Sequence, residues 1–311
     1  MAACAAGRYA GKSAQIPTDL PDSGIAGSSK AMQEIRAQLL RLAHLPWPVR
    51  LEGPSGTGKN LAARALHCWS SRRDGPFVAC NVNVLAVGLE IDELVGHVRG
   101  AFTGAVSDCI GAFEAAHGGT LFIDEIATAS PNVQRALLQL LEDRSIRRLG
   151  EHRIRQVDAR VVFATNADLE KAVEAGRFRP DLYHRLGSLV VRMPPLAEHI
   201  EDVPELVELI LERKAAELEE PLEHPPTSVF ASLMEYSWPG NVRELEHALE
   251  HYAAFGLLPP SVHNAVALPS WRQRLDDVLE RHCGNKSAAA RELRVSRNTV
   301  YKELKRRSAS S

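Results

Sequence analysis

The stretch VRLEGPSGTGKN, residues 49–60, decides the fold class. Within it Gly53-Pro-Ser-Gly-Thr-Gly-Lys59 fits the pattern G-x-x-x-x-G-K, between a β-type segment, Val49–Glu52, and a helix-type segment, Asn60–His67. Strand, glycine-rich turn and helix in that order make a phosphate-binding loop. Gly53, Gly56 and Gly58 let the backbone around Ser55 and Thr57 curl over phosphates, and the helix that follows turns its positive end toward them. Lys59 can reach the β- and γ-phosphates. Asn60 stands where such loops carry Ser or Thr; its amide oxygen can reach a magnesium-bound water, but it has no hydroxyl. Val49–Glu52 alternates apolar with charged residues, unlike a strand buried on both faces, and the sequence offers no reason for it.

Outward from the loop, apolar β-type segments recur at Phe77–Cys80, Thr120–Ile123, Val161–Ala164 and Leu189–Val191, with helical spacing between them, as in Asn132–Leu141. A further helical pattern, Ala31–Ala43, precedes the loop. This alternation predicts an α/β domain with a largely parallel sheet. Gly119-Thr-Leu-Phe-Ile-Asp124-Glu125 is an apolar strand ending in acids. Downstream of a phosphate loop, Asp124 is the expected magnesium holder, and Glu125 the group that orients and polarises the attacking water. A third strand ends in Ala164-Thr165-Asn166, whose polar tip is expected beside the γ-phosphate. These features predict an ATPase that uses ATP and Mg2+. After Pro194-Pro195 the β signal stops, and Val203–Glu219, Ser228–Tyr236 and Val242–Ala254 read as the helices of a small all-α subdomain.

In this order, Gly53–Lys59, Gly100–Ala105 (GAFTGA), Gly118–Glu125, Ala164–Asn166, Phe178–Leu186 (FRPDLYHRL) and Ser237–Leu245 (SWPGNVREL) resemble the bacterial enhancer-binding proteins, the AAA+ activators of sigma-54 RNA polymerase. The resemblance covers about Gly24–Leu258, and GAFTGA is its most specific motif. It implies an AAA+ P-loop NTPase fold and a ring, usually a hexamer, with ATP between subunits. It also implies that Arg179 and Arg185 reach a neighbour's γ-phosphate; the alternative for each is a surface salt bridge. Arg243 matches the lid arginine that touches nucleotide. Asn81 matches the residue that pairs with the catalytic glutamate and switches with nucleotide state. Ile25 and Ala26 fall where the family builds its adenine pocket.

By the same resemblance Gly100, Ala101, Phe102, Thr103, Gly104 and Ala105 contact sigma-54. That answers an oddity of the sequence, since Phe102 belongs to no periodic apolar run. Gly100 and Gly104 read as hinges of the loop. Pro195-Leu-Ala-Glu-His199 departs from an arginine-rich run usual in the family.

The chain of 311 residues is 45% hydrophobic and 24% charged, room for one large domain and one or two small ones. From Trp271 to Ser311 there are 11 Lys+Arg against 5 Asp+Glu; that end carries +6 and, against a total of −2, the rest carries −8. A basic end on an acidic body points to nucleic acid. Gly284–Lys305 reads as helix, short turn, helix, with Ser296 as N-cap of the second. It resembles the Fis-type helix-turn-helix attached to the same family. Arg297, Asn298, Thr299, Tyr301 and Lys302 are the expected DNA-reading face, with Lys286, Ser287 and Arg306 as further DNA contacts.

The expected organisation is a leader over 1–22, an ATPase α/β subdomain over 23–194, a helical lid over 195–258, a linker over 259–270 and the DNA-binding domain over 271–311. Five scattered cysteines without C-x-x-C spacing read as reduced thiols. No apolar run approaches the roughly 18 residues of a membrane span, and the start has no signal-peptide core. A cytoplasmic protein with no membrane partner is expected.

The function predicted is a sigma-54-dependent activator that binds upstream DNA, oligomerises with itself or a paralogous subunit, and spends ATP to open the polymerase complex. Because only the short leader precedes the ATPase match, control is expected from a regulatory protein in trans, from expression level or from co-assembly, without phosphorylation. The alternative is a DNA-binding AAA+ regulator that binds nucleotide without remodelling polymerase.

Overall fold

The computed structural model describes residues 25–84, 89–222 and 224–262, together with Leu275, Val278, Leu279, His282, Lys286 and Ala289. The leader call over 1–22 and the helix-turn-helix calls on Ser287, Ser296, Arg297, Asn298, Thr299, Tyr301, Lys302 and Arg306 lie outside these residues. The chain divides into two compact units: residues 1–210 with 238–246, and residues 211–237 with 247–311.

The first unit is built on a five-stranded parallel sheet. Its strands are β1 (Val49–Glu52), β2 (Phe77–Asn81), β5 (Thr120–Asp124), β8 (Arg160–Thr165) and β9 (Val190–Arg192), in the order β2-β5-β8-β1-β9. Each expected strand is present: β1 has the expected bounds, β2 and β5 run one residue further, β8 is one residue longer at each end, and β9 is shifted by one. Two two-stranded ribbons, β3 (Gly96–His97) with β4 (Cys109–Ile110) and β6 (Ser145–Ile146) with β7 (Arg155–Gln156), lie outside the main sheet. Strand alternation sorts the core. On β5, Leu121 and Ile123 face one side and Phe122 the other. The first side packs on α5 (Pro131–Asp143) and α7 (Pro180–Arg185) through Leu137 and Leu182. The second packs on α1 (Lys30–Ala43) and α2 (Lys59–Cys68) through Leu39, Ala62 and Leu66.

Local chemistry sets the helix ends. Ser29 caps α1 by accepting from the Met32 N–H, and Ser130 caps α5 ahead of Pro131, whose missing N–H costs nothing at the first helical position. Arg160 opens β8 and is buried. Its guanidinium donates to the carbonyls of Leu42 (2.7 Å), Ala43 (2.7 Å) and Leu66 (3.3 Å), and so closes the C-terminal ends of both α1 and α2. Burial pulls its pKa down to about 10, still charged at neutral pH. Arg160→Met is expected to strand these carbonyls and lower unfolding stability by about 2–4 kcal/mol. A urea midpoint unchanged from the parent would contradict this account.

The first unit also holds α3 (Glu90–Val95), α4 (Ala112–Ala115), α6 (Leu169–Glu174) and the first half of α8 (Val203–Leu218). The second unit is helical where described: the end of α8, α9 (Thr227–Glu235) and most of α10 (Asn241–Phe255). Lys214 ties α8 to α10 by an ion pair with Glu250 at 2.8 Å. Among the described residues no helix is long and apolar enough to cross a membrane.

Candidate active site

The phosphate loop runs from the end of β1 into α2. Gly53 (φ 149°), Gly56 (φ 82°) and Gly58 (φ 87°) all hold backbone angles that L side chains resist. At Gly53 a Cβ would also press on Met193, 3.1 Å from its own Cβ. No side chain caps α2, whose N-cap is Gly58, so its first N–H groups stay open to an anion. Lys59 is buried and its ammonium donates to the carbonyls of Gly53 (2.7 Å) and Pro54 (2.9 Å). Burial lowers its pKa, while Glu125 and Asp124 pull it up and Arg243 adds to the lowering. These four side chains thus share one field. Thr57 braces the loop through Pro54 O at 2.9 Å, and Asn60 is exposed.

Asp124 ends β5. Its carboxylate accepts from Asn81 Nδ2 at 3.3 Å and from the Glu125 N–H at 3.0 Å. Glu125 has φ 56° and leaves the strand in a left-handed conformation, a strained state for a residue with a side chain. Thr128 holds its carbonyl through both N–H and Oγ1. Its carboxylate makes no hydrogen bond among the described residues and stands half-buried. Here Asn81 binds Asp124 and not Glu125. The register explains it, because Asn81 lies directly opposite Asp124 in the β2–β5 ladder and Glu125 has already turned away.

Thr165 sits beside Glu52 in the β8–β1 register, and its carbonyl accepts from the Gly53 N–H at 3.3 Å. Its hydroxyl fixes the next turn through the Ala167 N–H, which leaves Asn166 exposed at the strand tip. Arg243, at the start of α10, donates to Ser55 Oγ at 2.8 Å, and Asn241 donates to Ser55 O at 2.8 Å. Arg179 pairs with Asp181 and Arg185 with Glu142, both partly exposed, and neither bonds to the phosphate loop of its own chain.

The segment after Ile25 and Ala26 is held by acids that sequence reasoning missed. Asp202, fully buried, accepts from the Ser29 N–H (2.7 Å) and Ser29 Oγ (2.6 Å) and meets His199 Nδ1 at 2.9 Å. Glu205 accepts from the Gly27 N–H. His199, which interrupts the arginine-rich run of the family, is thus a hydrogen-bond partner of Asp202.

Gly100–Ala105 forms the tip beyond the β3–β4 ribbon. Gly100 N–H to Ala105 O (2.9 Å) and Ala105 N–H to Phe102 O (3.0 Å) close it into a compact turn, with Gly100 and Gly104 at positive φ. Ala105 is buried, whereas Phe102 is 40% exposed and its ring meets His97 edge-on at 4.9 Å. Asp92 on α3 holds the His97 ring at 2.5 Å. Ala101 lies against Gly150, where a Cβ would come within 2.7 Å, and Leu149 exchanges backbone bonds with Gly96 and Val98. The β6–β7 ribbon therefore props the tip. Arg148 and Arg155 root that ribbon on Glu114 of α4.

The Sigma-54 interaction domain matches residues 25–192, more than half of the chain. The chain belongs to the sigma-54 activator family. This family's AAA+ ATPase lid domain matches residues 197–269 and the Fis-family regulatory protein matches residues 272–306. The sigma-54 activators it resembles include the C4-dicarboxylate transport regulator DctD of Pseudomonas aeruginosa, 41% identical over 91% of this chain and 64% of that protein. ZraR of Salmonella typhimurium is 39% identical over 91% and 68%, and the Nif-specific regulatory protein of Herbaspirillum seropedicae 46% identical over 77% and 44%. Among solved structures, NtrX of Brucella abortus in complex with ADP superposes with a TM-score of 0.70 at 32% identity, over 90% of this chain and 68% of that one. NtrX in complex with ATP gives a TM-score of 0.68. The chain thus has the AAA+ P-loop NTPase fold of the sigma-54 activators, and spans 44–68% of the length of these curated relatives.

Proposed function

We propose that the chain hydrolyses ATP to activate sigma-54 RNA polymerase in the cytoplasm, bound to upstream double-stranded DNA through its C-terminal end. One observation carries the reading. The residues read as hydrolytic (Lys59, Asp124, Glu125, Asn166) and an intact GAFTGA tip stand on the same sheet domain. In this reading Lys59 leaves the carbonyls of Gly53 and Pro54 for the phosphates, and Asp124 holds magnesium together with ATP. The site fits that ion: magnesium takes one or two carboxylates plus phosphate oxygens, and Asp124 offers such a carboxylate beside the loop. Magnesium supplies charge neutralisation on the phosphates.

Glu125, whose carboxylate has no hydrogen-bond partner among the described residues, polarises the water. Arg179 and Arg185 serve a neighbouring subunit in a ring, which we infer to be hexameric. Their ion pairs with Asp181 and Glu142 lie on the surface, where such contacts are weak and easily exchanged. Phe102 and Thr103 then meet sigma-54, and the tip shifts as Asn81, Asp124 and Glu125 respond to the phosphate. A regulatory protein in trans or a paralogous subunit would act on this assembly.

Transcription in vitro from a sigma-54 promoter, with purified chain, polymerase and ATP, tests the reading. ATP-dependent open complexes are expected. Their absence, with ATP turnover present, would leave a nucleotide-using DNA-bound regulator that does not remodel polymerase. Arg243→Ala is expected to weaken ATP binding roughly tenfold, the loss of one charge-assisted bond. Equilibrium titration with a fluorescent ATP analogue reads this directly, and equal affinity would remove Arg243 from the site.

A further inference from the structure

The charged residues of β1 that the sequence left unexplained open onto a second cavity. Val49 and Leu51 fill the core against α1 and α2, so Arg50 and Glu52 project from the other face of the sheet. There a cavity of about 510 Å³ lies outside the carboxyl ends of β1, β8 and β9. It shares Gly53, Pro54, Thr165 and Asn166 with the nucleotide site, but Lys59, Asp124 and Glu125 do not line it.

Arg50 is only 8% exposed, on a strand paired on both sides. A buried guanidinium needs compensation. Its Nε donates to Glu52 Oε1 at 2.8 Å, and its plane lies over the Tyr183 ring, 5.2 Å from the centroid. Beyond Nε its only further side-chain hydrogen-bond partner among the described residues is the Tyr183 hydroxyl, and no second carboxylate accepts from its terminal nitrogens. Glu52 is also shared, since its Oε2 accepts from Arg192 Nε at 3.3 Å. Two guanidiniums on one carboxylate leave one positive charge over, in the forked geometry that matches a carboxylate. The rim is acidic. Asp168 is matched by Lys171, but among the described residues Glu170 holds only the Tyr183 hydroxyl, and Glu198 is exposed with no ion pair.

We propose that this cavity binds a free amino acid, with its carboxylate on Arg50 and Arg192 and its ammonium toward Glu170 and Glu198. A basic floor under an acidic rim favours a zwitterion over a bare anion, which the rim repels. The volume falls in the usual ligand-site range of roughly 300–1,000 Å³ and leaves room for a side chain. Occupancy would press on Gly53–Pro54 from behind and so give ATP use a second input.

Calorimetric titration of the whole chain, with ADP present to hold the phosphate loop, tests this using L-glutamine, L-leucine and L-lysine, with acetate and ethylamine as half-ligands. At least one amino acid is expected to bind at millimolar concentration or below, more tightly than either half. R192A, an exposed change, should weaken it about tenfold. R50M, with its fold checked by thermal melting, should abolish it. No binding by any amino acid, acetate binding as tightly as the best of them, or binding that survives R192A and R50M would each overturn the proposal. ATP turnover on the same preparation reports separately on the hydrolytic reading.

Discussion

Glu125→Gln will lower ATP turnover by roughly 10²–10⁴-fold, the usual contribution of a general base or water-orienting carboxylate. ATP affinity will stay close to the parent's. The asymmetry follows from how the two functions are built. Binding rests on the glycine backbone at 53, 56 and 58, the open N-terminus of α2 and the Lys59 ammonium, none of which touches the Glu125 side chain. Turnover needs a carboxylate held close to the phosphates and not spent on a protein donor. Asp124 is the poorer candidate, because its oxygens already accept from Asn81 and the Glu125 N–H and its remaining lone pairs are assigned to magnesium in the proposed reading. Glu125 is left with an unbonded carboxylate on a backbone whose positive φ costs stability, and strain of that kind persists where surrounding structure holds it for a purpose. The amide keeps shape and loses the negative charge. A phosphate-release assay paired with nucleotide titration checks both halves. Turnover within a few-fold of the parent would remove Glu125 from the chemistry, and a parallel loss of binding would mean that the substitution had disturbed the loop instead.

The phosphate loop and the acidic strand end of this candidate site are legible in the sequence because each is local. Gly53–Lys59 and Thr120–Glu125 each carry their function within one strand and one turn, and the alternation of apolar runs put both on one parallel sheet. What escaped were contacts made across long separations. Asp202 meets Ser29 across 173 residues, and a lone acid in a polar stretch looks like a solvated one. Asn81 is legible as a polar strand end, but its partner depends on strand register, which no motif encodes. The β3–β4 and β6–β7 ribbons are only two residues per strand, too short for any periodicity. Arg50 shows the opposite failure. The alternation of Val49–Glu52 was visible and had no explanation until the cavity behind β1 and the Tyr183 ring came into view.

Thr103→Ala will abolish open-complex formation while leaving ATP turnover within about twofold, the tolerance of a surface change that costs under roughly 0.5 kcal/mol. Thr103 is exposed and its hydroxyl bonds to nothing among the described residues, so the folded chain gains nothing from it. The turn that carries it is closed by the backbone of Gly100, Phe102 and Ala105, and all of these bonds survive the substitution. The tip is also propped from below, by His97 against the Phe102 ring and by Gly150 against Ala101. A hydroxyl and a half-exposed ring on a rigidly supported turn form a contact surface aimed at another molecule, and removing the hydroxyl removes only that contact. Phe102→Ala is the harsher counterpart, because it also strips the edge contact with His97 and frees the His97–Asp92 pair beneath. Abortive-initiation transcription and a phosphate-release assay on the same samples separate the two outputs. If Thr103→Ala lost turnover along with transcription, the tip would be part of the hydrolytic machinery, and the division of labour between the sheet edge and the ribbon would fall. If it kept both, the hydroxyl would have no part in the polymerase contact, and Phe102 alone would have to supply it.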